Sequence, residues 1–214
     1  MTLFFSHIER MRRATQKRLD RVTPRSKDFY ILISLSSSLA VLGLLMDNTS
    51  VIIGAMVVAP LVTPLFTLSL SVLIFNTGGL LRSLLSIVLG TLLAVFVSAG
   101  ISSIVNLITD GEVALTQEIL SRSKPDTLYF LVALLSGVAG SFAYARPKIQ
   151  EFVTGIAIAA AIIPPIAVSG IALSVGNMFL LKQSLLLYGF NVVGICLGSV
   201  VLFLFLGFGK EIEK

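Results

Sequence analysis

The chain is written twice. Shifted by 101 positions without a gap, Pro24 falls on Pro125 and Phe29 on Phe130. Gly54 then meets Gly155, Ala59 meets Ala160, Pro64 meets Pro165 and Asn76 meets Asn177. Leu80, Ser83, Leu84 and Leu85 meet Leu181, Ser184, Leu185 and Leu186. Each copy holds three long apolar segments, and proline interrupts the middle one at the same depth. An odd number of spans per copy sends the second copy into the membrane from the opposite side. This is the pattern of an inverted repeat, in which discontinuous helices often form a site at the midplane.

Composition fixes the solvent. With 56% hydrophobic and 13% charged residues and a mean hydropathy of +0.98, a soluble globular domain is excluded. The expected fold is an all-α membrane protein of six transmembrane spans in a 3+3 inverted repeat, about 29–46, 50–75, 83–108, 128–145, 149–175 and 183–208. The chain divides into a cytoplasmic amphipathic basic segment (1–28), a first three-span repeat (29–108), an external loop (109–127), a second three-span repeat (128–208) and a cytoplasmic tail (209–214). As straight helices the second and fifth spans would run to roughly 40 Å, against a hydrocarbon core of roughly 30 Å. They must tilt, kink or break.

Basic residues set the orientation. Arg10, Arg12, Arg13, Lys17, Arg18, Arg21, Arg25 and Lys27 precede the first span. Arg82 lies in the second connection, Arg146 and Lys148 in the fourth, and Lys210 and Lys214 in the tail. On the other side lie only Arg122, Lys124 and Lys182. The positive-inside rule therefore places both termini in the cytoplasm. The excess charge of +5 belongs to these flanks, and no nucleic-acid motif accompanies it. No cleavable apolar core occurs in the first 28 residues, so no signal peptide is expected. The lone Cys196, inside the last span, can form no intramolecular disulfide.

Phe4, Ile8, Met11, Leu19 and Val22 recur at helical spacing before the first span. The resulting amphipathic helix either lies in the headgroup layer, attracted to anionic lipid, or is solvated in the cytoplasm. His7 lies on it without a second ligand. Thr23-Pro24 reads as a helix cap followed by proline at the first helical position, and Pro125 begins the fourth span in the same way. The external loop has room for one short helix. Asn76 and Asn177 follow the second and fifth spans and read first as C-terminal caps, second as pore-mouth residues.

The broken segments carry the functional expectation. Span two reads Gly54-Ala55-Met56-Val57-Val58-Ala59-Pro60-Leu61-Val62-Thr63-Pro64, and span five runs from Gly155 through Ala159-Ala160-Ala161 to Pro164-Pro165. Each proline lacks an N–H and clashes with the carbonyl four residues back, at about 3 kcal/mol in a helix interior. Freed carbonyls in hydrocarbon need protein or water. Thr63-Pro64 and Pro165 are expected to start half-helices whose positive ends converge at the midplane, favouring an anion. Carbonyls released at Met56, Pro60, Ala160 and Ala161 would instead suit a cation. The expected substrate path is Ala59, Pro60, Thr63, Pro64, Thr67, Ala160, Ala161, Pro164, Pro165 and Ser169, with Ser69 a further hydrogen-bonding group. A kink packed in a dry interior is the plainer alternative.

Small residues mark helix contacts: Gly54, Gly137, Gly140, Gly155, and Gly194 with Gly198 in a GxxxG spacing that serves internal packing or dimerisation. No Asp, Glu, Lys or Arg lies deep in a span, so uncoupled permeation is the simpler reading. With no nucleophile–base pair, phosphate loop or intramembrane carboxylate pair, neither enzymatic activity nor a metal or cofactor is expected. Ser36, Ser37 and Ser38 are expected to bond back to their own helix.

The segments Gly54-Ala55-Met56 to Ala59-Pro60-Leu61, and Ser136-Gly137 through Gly155-Ile156-Ala157 to Pro164-Pro165, resemble a prokaryotic membrane family catalogued as "domain of unknown function 389". The resemblance covers roughly residues 29–208. It implies a bacterial or archaeal inner-membrane protein and brings no activity or catalytic residues. Many members look longer, with an additional soluble region. Two functions follow as expectations: a small transporter or channel for a small solute or ion, or a non-transporting scaffold or regulatory subunit. A homo-oligomer fits either.

Overall fold

A computed structural model describes residues 27–109, 115–145 and 156–208, apart from the side chains of 156–161. The basic segment with His7 and Thr23-Pro24, the Arg146–Gly155 stretch and the tail lie outside the described residues. Eight helices and no strand occur among those described: α1 Lys27–Leu45, α2 Thr49–Val58, α3 Val62–Leu73, α4 Thr77–Ile108, α5 Gln117–Ser121, α6 Thr127–Ala145, α7 Ile156–Ser174 and α8 Met178–Phe205. Four of them, α1, α4, α6 and α8, are long and apolar enough to cross a membrane, and the bent pair α2–α3 qualifies jointly as a fifth. The chain is a multi-pass helical membrane protein by these segments.

One turn design joins the helices. After α1, Asp47 turns left-handed (φ 51). Its N–H reaches the Leu44 carbonyl at 3.3 Å, and the Asn48 N–H reaches Gly43 at 2.9 Å. Asn48 then caps α2, its Oδ1 accepting from Ser50 and Val51. Phe75 (φ 53) and Gly176 (φ 70) repeat the turn after α3 and α7. Asn76 and Asn177 donate back to Ser71 and Ala172, both at 2.9 Å. Their side chains accept from Gly79 and Leu180. The left-handed residue closes one helix, and the asparagine after it opens the next. The asparagines are thus N-terminal caps of α4 and α8, correcting the expectation that they end the preceding helix. Those caps also start α4 and α8 about six residues before the expected span boundaries.

The surface is apolar, and the interior combines large aliphatic and aromatic side chains with many small and hydroxylic ones. Leu84, Val88, Leu92 and Phe96 lie on the outer face of α4, whereas Ser83, Ser86, Gly90, Ala94, Ser98 and Ser102 form its buried face. Fourteen buried serines, with Thr67 and Asn191, make up the buried polar residues described, and none is charged. Small faces let helices close on one another where hydrophobic exclusion gives no drive. The α6–α8 pair is the most extensive contact, followed by α4–α7. The short α5 docks on the α1–α2 turn. Thr116 caps it and donates to the Leu44 carbonyl at 2.7 Å, the Glu118 N–H reaches Asp47 Oδ1 at 2.9 Å, and Ile119 is fully buried. The helix after Pro125 begins at Thr127, with Asp126 Oδ1 accepting from the Leu128 N–H at 3.2 Å, so aspartate rather than proline sets that start.

Candidate functional site

Between α2 and α3 the backbone bends by 52°. Ala59, held extended by the proline after it, leaves the helix (φ −71, ψ 124). Its N–H bonds to Met56 at 3.3 Å, so the Ala55 carbonyl loses its helical donor. The buried Ser36 hydroxyl replaces it across the α1–α2 interface at 2.6 Å. Ser36 therefore bonds to its neighbour, which corrects the expectation of a bond back along α1; Ser38 does bond back, as Ser34 does too. The Met56 carbonyl is occupied too, so neither of these α2 carbonyls is left for a cation.

Helix α3 begins at Val62 after Leu61, which makes no side-chain cap. Thr63 is thus inside the first turn rather than its cap, and Pro64 is third, where a missing N–H has no helical partner to lose. Thr67 is 8% exposed and donates to the Thr63 carbonyl at 3.0 Å. Ser69 donates to Leu65 at 2.9 Å and reaches the Cys196 carbonyl at 3.3 Å, tying α3 to α8. Ala59, Pro60 and Thr63 are half-buried, and Pro64 is buried.

The second copy differs. Helix α7 runs through Pro164 and Pro165 without interruption, correcting the expected break in span five. One sequence difference accompanies it. Pro60 has Ala161 as its repeat counterpart, so copy two concentrates its prolines in one turn instead of spreading them over two. Residues 162–172 are buried, and α1, α2, α4, α6 and α8 all pack against the helix. Pro165 consequently starts no half-helix, and only α3 presents an N-terminus beside the break. Ser169 donates to the Pro165 carbonyl at 2.8 Å and pairs with Ser184 at 2.9 Å. The side chains of Ala160 and Ala161 lie outside the described residues.

A polar seam along α8 escaped the sequence reading. Ser184, Tyr188, Asn191 and Ser199 recur at helical spacing on its inner face. Ser184 meets Ser169, the Tyr188 and Thr91 hydroxyls lie 2.6 Å apart, and Ser199 donates to the Gly137 carbonyl at 3.2 Å. Asn191 is only 2% exposed. The spacing of these polar residues in an otherwise apolar span was the available signal.

Glycines carry the α6–α8 contact. A Cβ at Gly194 would stand 3.0 Å from the Ala133 Cβ, one at Gly137 would collide with the Ile195 carbonyl, and one at Gly198 with the Leu134 carbonyl. The GxxxG pair is therefore spent on internal packing. Gly140 is buried as expected. Gly54 is exposed with open space around it, which corrects its assignment as a packing residue, and Gly155 lies outside the described residues.

The family model described as "Domain of unknown function (DUF389)" matches residues 56–197, from the break in the first copy to the α8 seam. The chain belongs to this family. An uncharacterised protein of Methanocaldococcus jannaschii is 28% identical over 178 residues, which cover 83% of this chain and 54% of that protein. The chain thus spans about half the length of the curated relative it matches. No solved structure matches it.

Proposed function

We propose that this DUF389 domain is a small transporter or channel of the cytoplasmic membrane, moving a small solute or ion without catalysis. Its six spans, with α7 counted as one, form a 3+3 inverted repeat with both termini cytoplasmic. The carrying observation is the 52° break at Ala59–Leu61 beside a buried hydroxyl-rich interior. Membrane helices open their backbone where another helix or a wet cavity receives it. The exchanged packing supports the repeat: α3 and α7, the middle elements, each pack on both α4 and α8. The single N-terminus of α3 leans toward an anionic or electron-rich cargo. The basic N-terminal segment would bind anionic lipid, and the chain would assemble as a homo-oligomer through faces other than Gly194 and Gly198.

The second reading, a scaffold or regulatory subunit, draws on the Ser36–Ala55 bond, since a break satisfied by protein does not need water. Single cysteines at Ala59 and Ala160 in a Cys196→Ala background, probed with a small membrane-impermeant thiol reagent, separate the two. Labelling supports a path. Silence at both sites, with Asn48→Cys reactive as the control, supports the scaffold. Once a cargo is identified, flux unchanged in Thr63→Val and Thr67→Val would remove those threonines from the path.

A further inference from the structure

Serine in a membrane helix has a ready acceptor in the carbonyl four residues back. Ser38, Ser69, Ser86, Ser141 and Ser184 all use it here. Two deeply buried serines use neither that acceptor nor any other among the described residues. Ser37 is 1% exposed and Ser98 is 0% exposed, and neither hydroxyl has a hydrogen-bond partner among the described residues. Left empty, each orphan hydroxyl would weaken folding by roughly five- to hundredfold in the unfolding equilibrium, and buried polar groups are rarely left so.

Both lie on helix faces buried within the protein. Ser98 lies on the α4 face that closes on α7, where a Cβ added to Gly170 would collide with the Ser98 Cβ and stand 2.7 Å from the Val95 carbonyl. Gly90, two turns earlier on that same α4 face, receives Ile33 of α1, whose Cδ1 would be 2.9 Å from an added Cβ. Ser37 is one turn beyond Ile33 on α1 and so shares its face. Helices α1 and α7 also pack on each other. At these contacts two buried hydroxyls bond neither to their own helix nor to a neighbour among the described residues.

We infer that Ser37 and Ser98 each hold a buried water, Ser98 where α4 closes on α7 and Ser37 on the face of α1 that carries Ile33 to α4. A hydroxyl both donates and accepts, so serines hold neutral water without any charged group, and buried waters settle on polar atoms that protein leaves unmatched. A scaffold would hold these waters as well as a channel would.

The test uses the full chain in lipid nanodiscs. Ser37→Ala and Ser98→Ala are each expected to raise the unfolding constant in detergent titration by about tenfold, because the water loses an anchor. A dry site gives the opposite sign, since removing an orphan hydroxyl stabilises. In a Cys196→Ala background, Ser37→Cys and Ser98→Cys are expected to react with a small neutral thiosulfonate roughly tenfold faster than Ala40→Cys, because a thiol needs water to ionise. Increased stability of both alanine variants, or thiols at 37 and 98 no faster than at 40, overturns the assignment.

Discussion

A single left-handed residue decides where each long hairpin turns, and the chain fills that place with Asp47, Phe75 or Gly176. For phenylalanine this backbone is strained by about 1–2 kcal/mol, whereas glycine adopts it freely. Phe75 is 91% exposed, so little packing is lost by removing its ring. Phe75→Gly is expected to stabilise the protein by about 1 kcal/mol and Gly176→Ala to destabilise it by a similar amount, read by reversible unfolding in mixed micelles. The asparagines after these residues were visible in the sequence, but their direction was not. A C-terminal and an N-terminal cap share residue types, and here two adjacent residues divide the work. Ser36 was likewise visible only as part of a polar run. Its bond to Ala55 makes Ser36→Ala about 1–3 kcal/mol destabilising, whereas Ser38→Ala, which removes a hydroxyl bonded to its own helix, should change stability by less than about 0.5 kcal/mol.

Elements show the same division between pattern and packing. The small-residue spacing at Gly194 and Gly198 announced a close helix contact, and the contact exists, but only the fold reveals α6 as its partner. Substituting alanine at Gly198 or Gly137 drives a Cβ into backbone carbonyls that cannot swing aside. Each change is expected to cost about 1–3 kcal/mol. Gly54→Ala, with open space around it, should be neutral or stabilise α2 by up to about 1 kcal/mol. The same unfolding assay ranks all three, and a Gly198→Ala variant as stable as Gly54→Ala would remove the close contact from the account. Proline number was less informative than it looked. Both middle segments carry two prolines, yet only the copy that spreads them over two turns, with Ser36 donating to the freed Ala55 carbonyl, bends into two helices. What the neighbouring helix offers to such a break sits about twenty residues away in the chain, at Ser36.

Across the whole molecule, the segment joining the two copies does more than connect them. Thr116 bonds to the end of α1, and Glu118 meets both Asp47 and Thr49, so α5 clamps the first hairpin of copy one. Composition allowed a short helix in this loop, but nothing local in the sequence assigned it a docking place, because its partners are about seventy residues earlier. Thr116→Val removes the cap acceptor for Ile119 and the donor to Leu44 together, at an expected cost of about 1–2 kcal/mol borne by the clamp. Arg122, held in an ion pair with Glu118 at 3.2 Å, and Lys124 lie just beyond it and report its release. In sealed cells treated with external trypsin, the variant should be cut at these two residues several-fold faster than the wild type, since cleavage follows local opening. With the proposed orientation, an N-terminal epitope ahead of the eight basic residues should stay intact. Loss of that epitope with the membrane intact would reverse the orientation, while equal cleavage rates in both proteins would show that the clamp does not restrain the loop.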